Sequence, residues 1–486
     1  MTEKSKIILT NSYFYKYDSK QWKTRQPYPP LATLYAASVL RDNKYAVEFF
    51  DHCLADDNSL VMTAIQSGVA PVLVIYEDGF NYLTKMCLTT MRQQAFAMIH
   101  HAKQYHLTVI VSSSDATDHY SLYHEEGVDF IIHGEAELTL LELINQMDSQ
   151  QNYANIQGIS YRENGQLKRN PPRPVLTNLD ILPIPAWDLI DFQAYQSVWS
   201  EDSRQMLLNV VATRGCPFKC NWCAKPIYGN RYNSRNAKAV VDELKYLVHT
   251  FGIHTFWFCD DIFGLKPGWV QEFREAIKEE ELSIKFKIQS RVDLLLKDDT
   301  IDALIDSGLD IVWVGAESGS QKILDAMEKG TQVNQIFMAT EKIKSKGARI
   351  GFFLQFGYPG ENSNDIKKTL KMLLDLMPDD LGVSISYPLP GTKFYEKVKH
   401  QLKKKTNWTD SDDLDLLYKS TFSRKFYRKL HRYVHYRYRI KKGWLNLKHL
   451  IRSPDKIRQG QLREIGSMIF SLPPYIISLP WISKIR

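Results

Sequence analysis

The feature that most constrains this chain is an alternation of short apolar runs with amphipathic helical stretches, seen first over residues 1–150. Five of the runs are almost continuously apolar, which is typical of parallel strands covered by helices on both faces. We therefore predict an N-terminal doubly wound α/β domain that binds ligands beyond the carboxyl ends of its strands. The predicted strands are Lys6–Thr10, Ala46–Phe50, Pro71–Ile75, Leu107–Val111 and Val128–Ile132, and the predicted helices cover 30–43, 56–67, 85–104, 118–126 and 135–147.

A second alternation fills residues 201–400, after a proline-rich segment at 151–200 that predicts a small hairpin and a linker. Six strand–helix units predict a partial (β/α)6 barrel with its chemistry at the carboxyl ends of the strands. An ordinary doubly wound sheet is the alternative. The predicted strands are Leu207–Ala212, Thr255–Cys259, Lys285–Gln289, Asp310–Gly315, Arg349–Phe356 and Gly382–Tyr387, and the predicted helices cover 236–251, 268–280, 298–307, 320–328, 332–347 and 363–376.

Three cysteines, Cys216, Cys220 and Cys223, lie in one loop directly after the first predicted barrel strand. Three thiolates can bind three irons of a 4Fe–4S cube and leave the fourth iron open to a substrate. A zinc site with Cys259 as fourth ligand, or three structural cysteines, are the alternatives. The C-x₃-C-x₂-C spacing and the absence of a nearby histidine favour the iron–sulfur cluster.

This spacing, with Trp222 just before the third cysteine, resembles the signature of the radical S-adenosylmethionine (SAM) superfamily. The later strand ends resemble the SAM contacts of that family in the expected order: 258–263, 289–293, 315–319, 351–361 and 386–392. The resemblance implies SAM-binding roles for Trp222, Asp260, Asp261, Arg291, Glu317 and Ser318. Loop capping by the two aspartates, a solvated ion pair at Arg291, and structural packing by Glu317 or Trp222 remain the alternatives.

The resemblance also implies a reaction. SAM binds the open iron of the cluster, an electron from a donor such as ferredoxin or flavodoxin cleaves it, and the resulting 5′-deoxyadenosyl radical abstracts hydrogen from an unactivated substrate carbon. The barrel excludes water, which would otherwise give side reactions.

The first domain resembles the cobalamin-binding domain of class B radical SAM methylases and anaerobic cyclases. Small residues after its fourth strand, Ser112–Ser114 with Asp115 and Thr117, could admit cobalamin, which implies cofactor-binding roles for Ser113, Ser114 and Asp115. The chain has no D-x-H-x-x-G motif, so a cobalt-ligating histidine is not expected. A domain that packs on the barrel without cofactor is the alternative. Cys53 and Cys87 are expected to be core residues.

The C-terminal extension, 401–486, carries 20 Lys/Arg against 6 Asp/Glu, whereas the preceding residues carry 42 against 49. Aromatic and basic residues at helical spacing in 424–439 favour peripheral contact with an anionic membrane over nucleic acid. A basic helix that covers the barrel is the alternative. The apolar segment 468–482 contains Pro473, Pro474 and Pro480, so we expect it to lie at an interface and not to form one regular spanning helix.

Three functions are compatible with these features. The leading prediction is methylation of an unactivated carbon of a small-molecule or lipid substrate by an enzyme that uses a 4Fe–4S cluster, SAM and cobalamin. Radical cyclisation or rearrangement without methyl transfer is the second, and a non-catalytic cobalamin or iron–sulfur sensor is the third. The few cysteines and the lack of an N-terminal apolar segment predict a cytoplasmic protein, at the membrane periphery if the extension binds lipid.

Overall fold

The computed structural model describes residues 4–80, 88–149, 152–201, 204–225, 227–402, 408–409, 413–453 and 459–482. Its first sheet contains strands β1 (Ile7–Thr10), β2 (Val47–Phe50), β3 (Val72–Tyr76), β4 (Thr108–Ser112), β5 (Phe130–Ile132), β6 (Ile159–Glu163) and β7 (Gln166–Arg169). The spatial order is β2-β1-β3-β4-β5-β6-β7. Strands β1 to β5 pair in parallel, and β6 and β7 add an antiparallel hairpin at one edge. The order reverses between β1 and β3, as it does in doubly wound sheets.

The helices of this region follow the predicted alternation closely. They are α1 (Ser19–Thr24), α2 (Leu31–Asp42), α3 (Ser59–Gln66), α4 (Thr89–Gln104), α5 (Ser114–Asp118), α6 (Tyr120–Glu125) and α7 (Glu137–Asp148). The predicted start of the helix at 118–126 was wrong, because two short helices, α5 and α6, occupy this region. Helix α5 begins four residues earlier than predicted, since the Ser113 hydroxyl caps it by accepting from the Ala116 N–H. Cys53 is buried as expected, whereas Cys87 and the start of the predicted 85–104 helix lie outside the described residues.

The second sheet is the predicted partial barrel. Strands β8 (Leu208–Val210), β11 (Thr255–Phe258), β12 (Lys285–Ser290), β13 (Leu309–Glu317), β14 (Arg349–Phe356) and β15 (Asp380–Ile385) are all parallel and lie side by side in chain order. A small antiparallel pair, β9 (Thr213–Arg214) and β10 (Asn233–Ser234), frames the cysteine loop. A doubly wound sheet would reverse its strand order, so this one-way succession excludes that alternative.

Helices alternate with the barrel strands, and local residues set their ends. Asn236 caps the start of the first long helix with its side chain, and Gly252, at a φ of 65°, ends it as a left-handed residue. The helices of this region are α8 (Phe192–Ser200), α9 (Ala237–Phe251), α10 (Trp269–Glu279), α11 (Val292–Leu295), α12 (Thr300–Asp306), α13 (Gln321–Ala326), α14 (Val333–Ser345), α15 (Ser363–Leu376) and α16 (Lys393–Val398).

Two tryptophans of the proline-rich segment join the two sheets. Trp187 donates from its indole nitrogen to Glu243 on α9 at 3.0 Å, and Trp199 donates to the Pro27 carbonyl at 2.9 Å. Both side chains are fully buried. The sequence pattern of this segment did not predict helix α8 or these contacts.

The C-terminal extension forms two antiparallel helices, α17 (Arg424–Arg452) and α18 (Gln459–Ile482). They cross closely at Gly443, where an added Cβ would lie 2.4 Å from the Cβ of Met468. Helix α17 covers the last barrel unit: the Tyr438 hydroxyl donates to the Pro378 carbonyl at 2.7 Å, and Lys442 donates to the Asp379 carbonyl at 2.6 Å. The barrel-covering alternative is thus realised over part of this helix.

The prolines of the last segment do not interrupt α18, which corrects the expectation of a broken helix. Pro473 and Pro474 lack the N–H groups that would bond the carbonyls of Ile469 and Phe470. Those two residues lie on the exposed face, where water can replace the missing donors, while the opposite face packs on α17. Within the described residues no helix is long and apolar enough to cross a membrane.

Candidate functional site

The cysteine loop begins where the first barrel strand ends, and a glycine makes its first turn possible. Gly215 has a φ of 77°, and an added Cβ would lie 2.4 Å from the Arg231 carbonyl oxygen, so only glycine fits between Arg214 and Cys216. Cys216, Cys220 and Cys223 are half-buried and free of disulfides.

The three thiols lie close enough to affect one another's ionisation. Burial, opposed by Lys225 and assisted by the neighbouring Cys220 and Cys216 thiols, raises the pKa of Cys223 to about 12. Burial likewise raises the pKa of Cys216, against a hydrogen bond from the Phe218 N–H that lowers it. Binding of iron would require all three cysteines as thiolates. The Lys225 ammonium and the Phe218 N–H both favour negative charge on the sulfurs, which suits an anionic cluster. The donor set therefore fits a 4Fe–4S group.

The zinc alternative needed Cys259, and the structure places that residue elsewhere. The Cys259 thiol is buried and donates to the Val210 carbonyl at 3.2 Å. Over the described ranges, no three or more His, Cys, Asp or Glu side chains converge tightly enough for a single metal ion.

Asn221, between the second and third cysteines, anchors the loop to the far side of the barrel. Its side chain donates to the Ala326 carbonyl and accepts from the Tyr358 hydroxyl, both at 2.7 Å. Its backbone N–H bonds the Met327 carbonyl at 3.0 Å, and its carbonyl accepts from the Phe394 N–H at 2.9 Å. Sequence reasoning missed this residue because each of its partners is remote in the chain.

Glu317 faces this loop from the end of β13 and carries backbone strain. Its φ is 54°, at an irregularity in the pairing of β13 with β14, and strained residues of this kind concentrate at functional sites. Its carboxylate pairs with Lys329 at 2.9 Å, and both side chains are buried. Burial lowers the pKa of Lys329, but the Glu317 carboxylate and the nearby Cys220 thiol raise it above its usual value. Lys329 was not predicted from the sequence.

Trp222 completes this group. The Lys329 ammonium lies 5.8 Å from the centre of the Trp222 ring. The indole nitrogen of Trp222 is buried and has no hydrogen-bond partner among the residues that the structure describes. Trp222, Glu317, Lys329 and Cys220 therefore surround one position beside the cysteine loop.

Four other predicted SAM contacts have different surroundings. The Arg291 guanidinium lies 3.7 Å from the centre of the Phe218 ring and donates to Asp293 and to the Lys329 carbonyl. Arg291 therefore supports the cysteine loop through Phe218. Asp261 is exposed and close enough to raise the pKa of the cysteine thiols. Asp260 is buried and accepts from the N–H groups of Ala212 and Thr213, and burial raises its pKa to about 7. Ser318 is buried and its hydroxyl bonds the Thr369 hydroxyl on α15 at 3.0 Å.

The predicted cobalamin residues lie at the carboxyl edge of the first sheet. Ser113 caps α5, and Asp115 pairs with Arg92 and accepts from the Tyr123 hydroxyl at 2.8 Å. The hydroxyl of Ser114 is buried without a partner within the described part of the chain. A narrow slot runs along this edge, lined on one side by Ser112–Ser114, Gly79 and Gly134 and on the other by Ile227 and Tyr228.

A buried ion-pair triad connects this edge to the cysteine loop. Arg214, two residues before Cys216, pairs with Glu135 and, at 2.7 Å, with Glu137 at the start of α7. All three side chains are almost fully buried, and the Arg214 guanidinium also lies over the rings of Tyr35, Phe80 and Tyr228. The triad holds the first sheet and the barrel in a fixed relation at the site.

Comparison with known proteins agrees with this geometry. Residues 210–373 match the Radical SAM superfamily. An uncharacterised methyltransferase of Pyrococcus horikoshii is 29% identical over 394 residues, which are 80% of this chain and 82% of the relative. The anaerobic magnesium-protoporphyrin IX monomethyl ester cyclase of Synechocystis is 26% identical over 57% of this chain, and the match spans about half of the cyclase (55%).

A solved structure shares the whole fold. The cobalamin-dependent SAM radical enzyme OxsB, with aqua-cobalamin and SAM bound, aligns with a TM-score of 0.72 and 17% identity over 98% of this chain and 72% of that one. Residues 210–373 therefore form a radical SAM domain. A 4Fe–4S cluster and SAM are the cofactors that such a domain implies.

Proposed function

We propose that this enzyme methylates an unactivated carbon of its substrate with the help of cobalamin. The observation that carries the proposal is the slot at the edge of the first sheet. Its far wall, Ile227 and Tyr228, begins four residues after Cys223, and an added Cβ on Gly134 would lie 3.5 Å from the Ile227 carbonyl. A cofactor in this slot would therefore adjoin the cluster loop. The unpartnered Ser114 hydroxyl marks a polar gap there, and because this gap is only water-sized, a corrin would require Ile227 to move away from Gly79 and Gly134.

The names of similar proteins support the same assignment. The Pyrococcus relative is called a methyltransferase, and OxsB was solved with aqua-cobalamin. The Synechocystis relative is called a cyclase, which keeps radical cyclisation as the second candidate. A cobalamin in the slot is compatible with either reaction, so the methylation proposal rests on the name of the Pyrococcus relative and is decided by the products.

In this proposal each residue near the cluster has a defined task. The three cysteines hold the cluster, which, when bound, supplies the electron that cleaves SAM. Glu317 and Lys329 hold the polar end of SAM by hydrogen bonds, and Trp222 lies against its adenine. Arg291 and Asn221 position the loop, and Asp260 fixes the turn from β8 to β9 through its bonds to Ala212 and Thr213. Asp261 makes a second polar contact with SAM at the entrance of the site. Ser318 is left with a structural role, and Ser113 and Asp115 shape the slot from behind.

Cobalt content and products test this proposal together. We expect protein reconstituted with hydroxocobalamin to retain about one cobalt per chain after desalting, and to form S-adenosylhomocysteine together with 5′-deoxyadenosine during turnover. The substrate for that assay would come from comparative metabolomics of a deletion strain. That strain should lack the methylated product and contain the substrate, which is lighter by one CH₂. Formation of 5′-deoxyadenosine and a cyclised product without S-adenosylhomocysteine would replace methylation by cyclisation.

The C-terminal hairpin is proposed to rest on an anionic membrane surface. Leu462, Ile469 and Ile476 recur at intervals of seven on α18, with Phe470 and Ile477 beside them, and all five are exposed, Phe470 by 85%. Trp444 on α17 is also exposed, and the Lys448 ammonium lies 5.5 Å from the centre of its ring. An apolar stripe beside basic residues is the pattern of a helix that lies in the interface. A lipid or terpenoid substrate would reach the barrel from such a surface.

Flotation with phosphatidylserine-containing vesicles tests the membrane proposal. The protein should float at low salt and less at high salt, since the basic residues act through a screened attraction. Replacing Phe470 and Ile477 together with serine should reduce the bound fraction about tenfold, because both side chains would lose apolar burial. Leu60→Ser, at an exposed leucine on α3, is the matched control and should bind as the parent does. Flotation unaffected by the double substitution would exclude this surface.

A further inference from the structure

The barrel strands sort their side chains into two faces. Residues of β11, β12 and β14 that point outward, such as Phe256, Phe286 and Phe352, are fully buried between the sheet and its helices. Side chains at the alternate positions face the lumen, because successive residues of a strand point to opposite sides. The lumen-facing residues used below are Trp257, Lys287, Trp313, Gly351, Phe353, Gln355 and Gly382.

Lys287 is the unusual member of this lumen face. Its ammonium lies 4.8 Å from the centre of the Trp257 ring and 5.7 Å from that of Trp313. Across the described residues it has neither a hydrogen bond nor a salt bridge at its nitrogen. Burial lowers its pKa to about 8, and only the more distant Asp380 carboxylate opposes that shift. This half-buried cation is attracted by the two ring faces but has no anionic partner, so a carboxylate can still pair with it.

Unpaired polar atoms accompany this lysine. Trp257 is the register partner of Lys287 on the neighbouring strand, and its indole nitrogen is buried without a partner in the described part of the chain. Two donors, an ammonium over the ring face and a buried indole N–H, thus lie on neighbouring strands. Further along the lumen the Gln355 side-chain oxygen is also buried and unpartnered among the described residues. Native structures rarely leave such groups unsatisfied, so a ligand that accepts hydrogen bonds suits the ammonium and the indole N–H, whereas the Gln355 oxygen requires a donor.

Aromatic rings continue this wall on the next two strands. Trp313 and Phe353 pack with ring centres 4.7 Å apart, and Phe353 remains 37% exposed towards the lumen. Glycines beneath the rings make room for them. An added Cβ on Gly351 would lie 2.6 Å from the Trp313 ring, and one on Gly382 would lie 3.1 Å from the Phe353 ring. This wall offers a flat apolar surface to whatever occupies the lumen.

We infer that the barrel lumen binds a substrate with an apolar body and a carboxylate, the carboxylate at Lys287 and Trp257 and the body against Trp313 and Phe353. This inference rests on the proposed function, because it names the class of molecule on which the radical chemistry acts. An acid group satisfies both donors at once and replaces the missing partner of the ammonium. It also fixes which end of the substrate lies deep in the barrel.

Binding of two probe molecules tests this inference without turnover. Pyrenebutyrate and the neutral pyrenebutanol share an apolar body and differ in the acid group. By anaerobic titration calorimetry on cluster-loaded protein, without reductant, we expect pyrenebutyrate to bind about tenfold more tightly than the alcohol. Lys287→Met should bring the two affinities to within about twofold of each other, chiefly by weakening the acid. Lys287→Arg should keep the preference, since it keeps the charge.

Controls separate this inference from folding and from the proposed function. Iron content shows that each variant is folded around its cluster. Lys278→Met, at an exposed lysine on α10, should leave the preference unchanged. Equal binding of both probes by the parent protein, no binding of either, or an intact preference in Lys287→Met would overturn the inference. Because no SAM is cleaved in this experiment, its outcome does not depend on whether the enzyme methylates.

Discussion

Replacing Cys216 with alanine is expected to remove the iron–sulfur cluster and, with it, the cleavage of SAM. The loop supplies three thiols from residues 216, 220 and 223, and the nearest other described cysteine thiol, that of Cys259, is committed to the Val210 carbonyl. With two thiolates left, two irons of the cube lack a protein ligand: the open one that SAM needs and the one that Cys216 would hold. We expect iron after anaerobic reconstitution to fall from about four per chain to less than about one, and 5′-deoxyadenosine to fall to background.

Cys259→Ala is the matched control for that variant. Its thiol is buried at the end of β11, so its loss removes a small core side chain and leaves the loop intact. Iron content and SAM cleavage should stay close to those of the parent. If Cys216→Ala kept a full complement of iron, or if Cys259→Ala lost as much iron as Cys216→Ala, the ligand assignment would be wrong.

Arg214→Met is expected to be the most destabilising single substitution near the site. Arg214 is buried between Glu135 and Glu137, so its removal leaves two buried carboxylates without a counter-charge. Breaking a buried ion pair in this way costs about 3–5 kcal/mol. The same substitution should loosen the cysteine loop, because Arg214 precedes Gly215 and Cys216 and ties them to the first sheet.

Denaturant unfolding of the cluster-loaded protein measures that cost as a change in the apparent free energy of unfolding. Arg349→Met is the matched control: Arg349 pairs with Asp310 on the surface, where an ion pair contributes at most about 1 kcal/mol. Adding Glu135→Gln and Glu137→Gln to Arg214→Met should recover part of the loss, since the uncompensated charges disappear. Equal losses for Arg214→Met and Arg349→Met would show that the triad does not hold the two sheets together.

Local patterns predicted most of the architecture. Arg349–Phe356 is a strand with the predicted limits, and Gly252 ends its helix as expected, because apolar runs, caps and glycine stops act within a few residues. Two errors have local causes that the pattern conceals. The Ser113 cap moved the start of α5, and packing on α17 kept α18 continuous through Pro473 and Pro474.

The candidate site was only half predictable for a different reason. The cysteines, Trp222 and Glu317 stood out because residue type and spacing mark them. Lys329, Asn221 and Arg214 act through partners that lie 12, 105 and 79 residues away, and a single sequence carries no record of such pairings. Ser318 matched a motif, yet its hydroxyl bonds Thr369, because the left-handed Glu317 beside it turns the chain towards α15. The role of Lys287 could not be predicted from the sequence, since a lysine on a strand is ordinary until its spatial neighbours are known.

The central claim is that the cysteine loop holds a cluster that cleaves SAM reductively. The most direct measurement is anaerobic incubation of the reconstituted full chain with SAM and dithionite, with 5′-deoxyadenosine and methionine quantified by mass spectrometry. We predict that both products form in equal amounts, only with reductant present. A fully iron-loaded protein that forms no 5′-deoxyadenosine under these conditions would contradict the account.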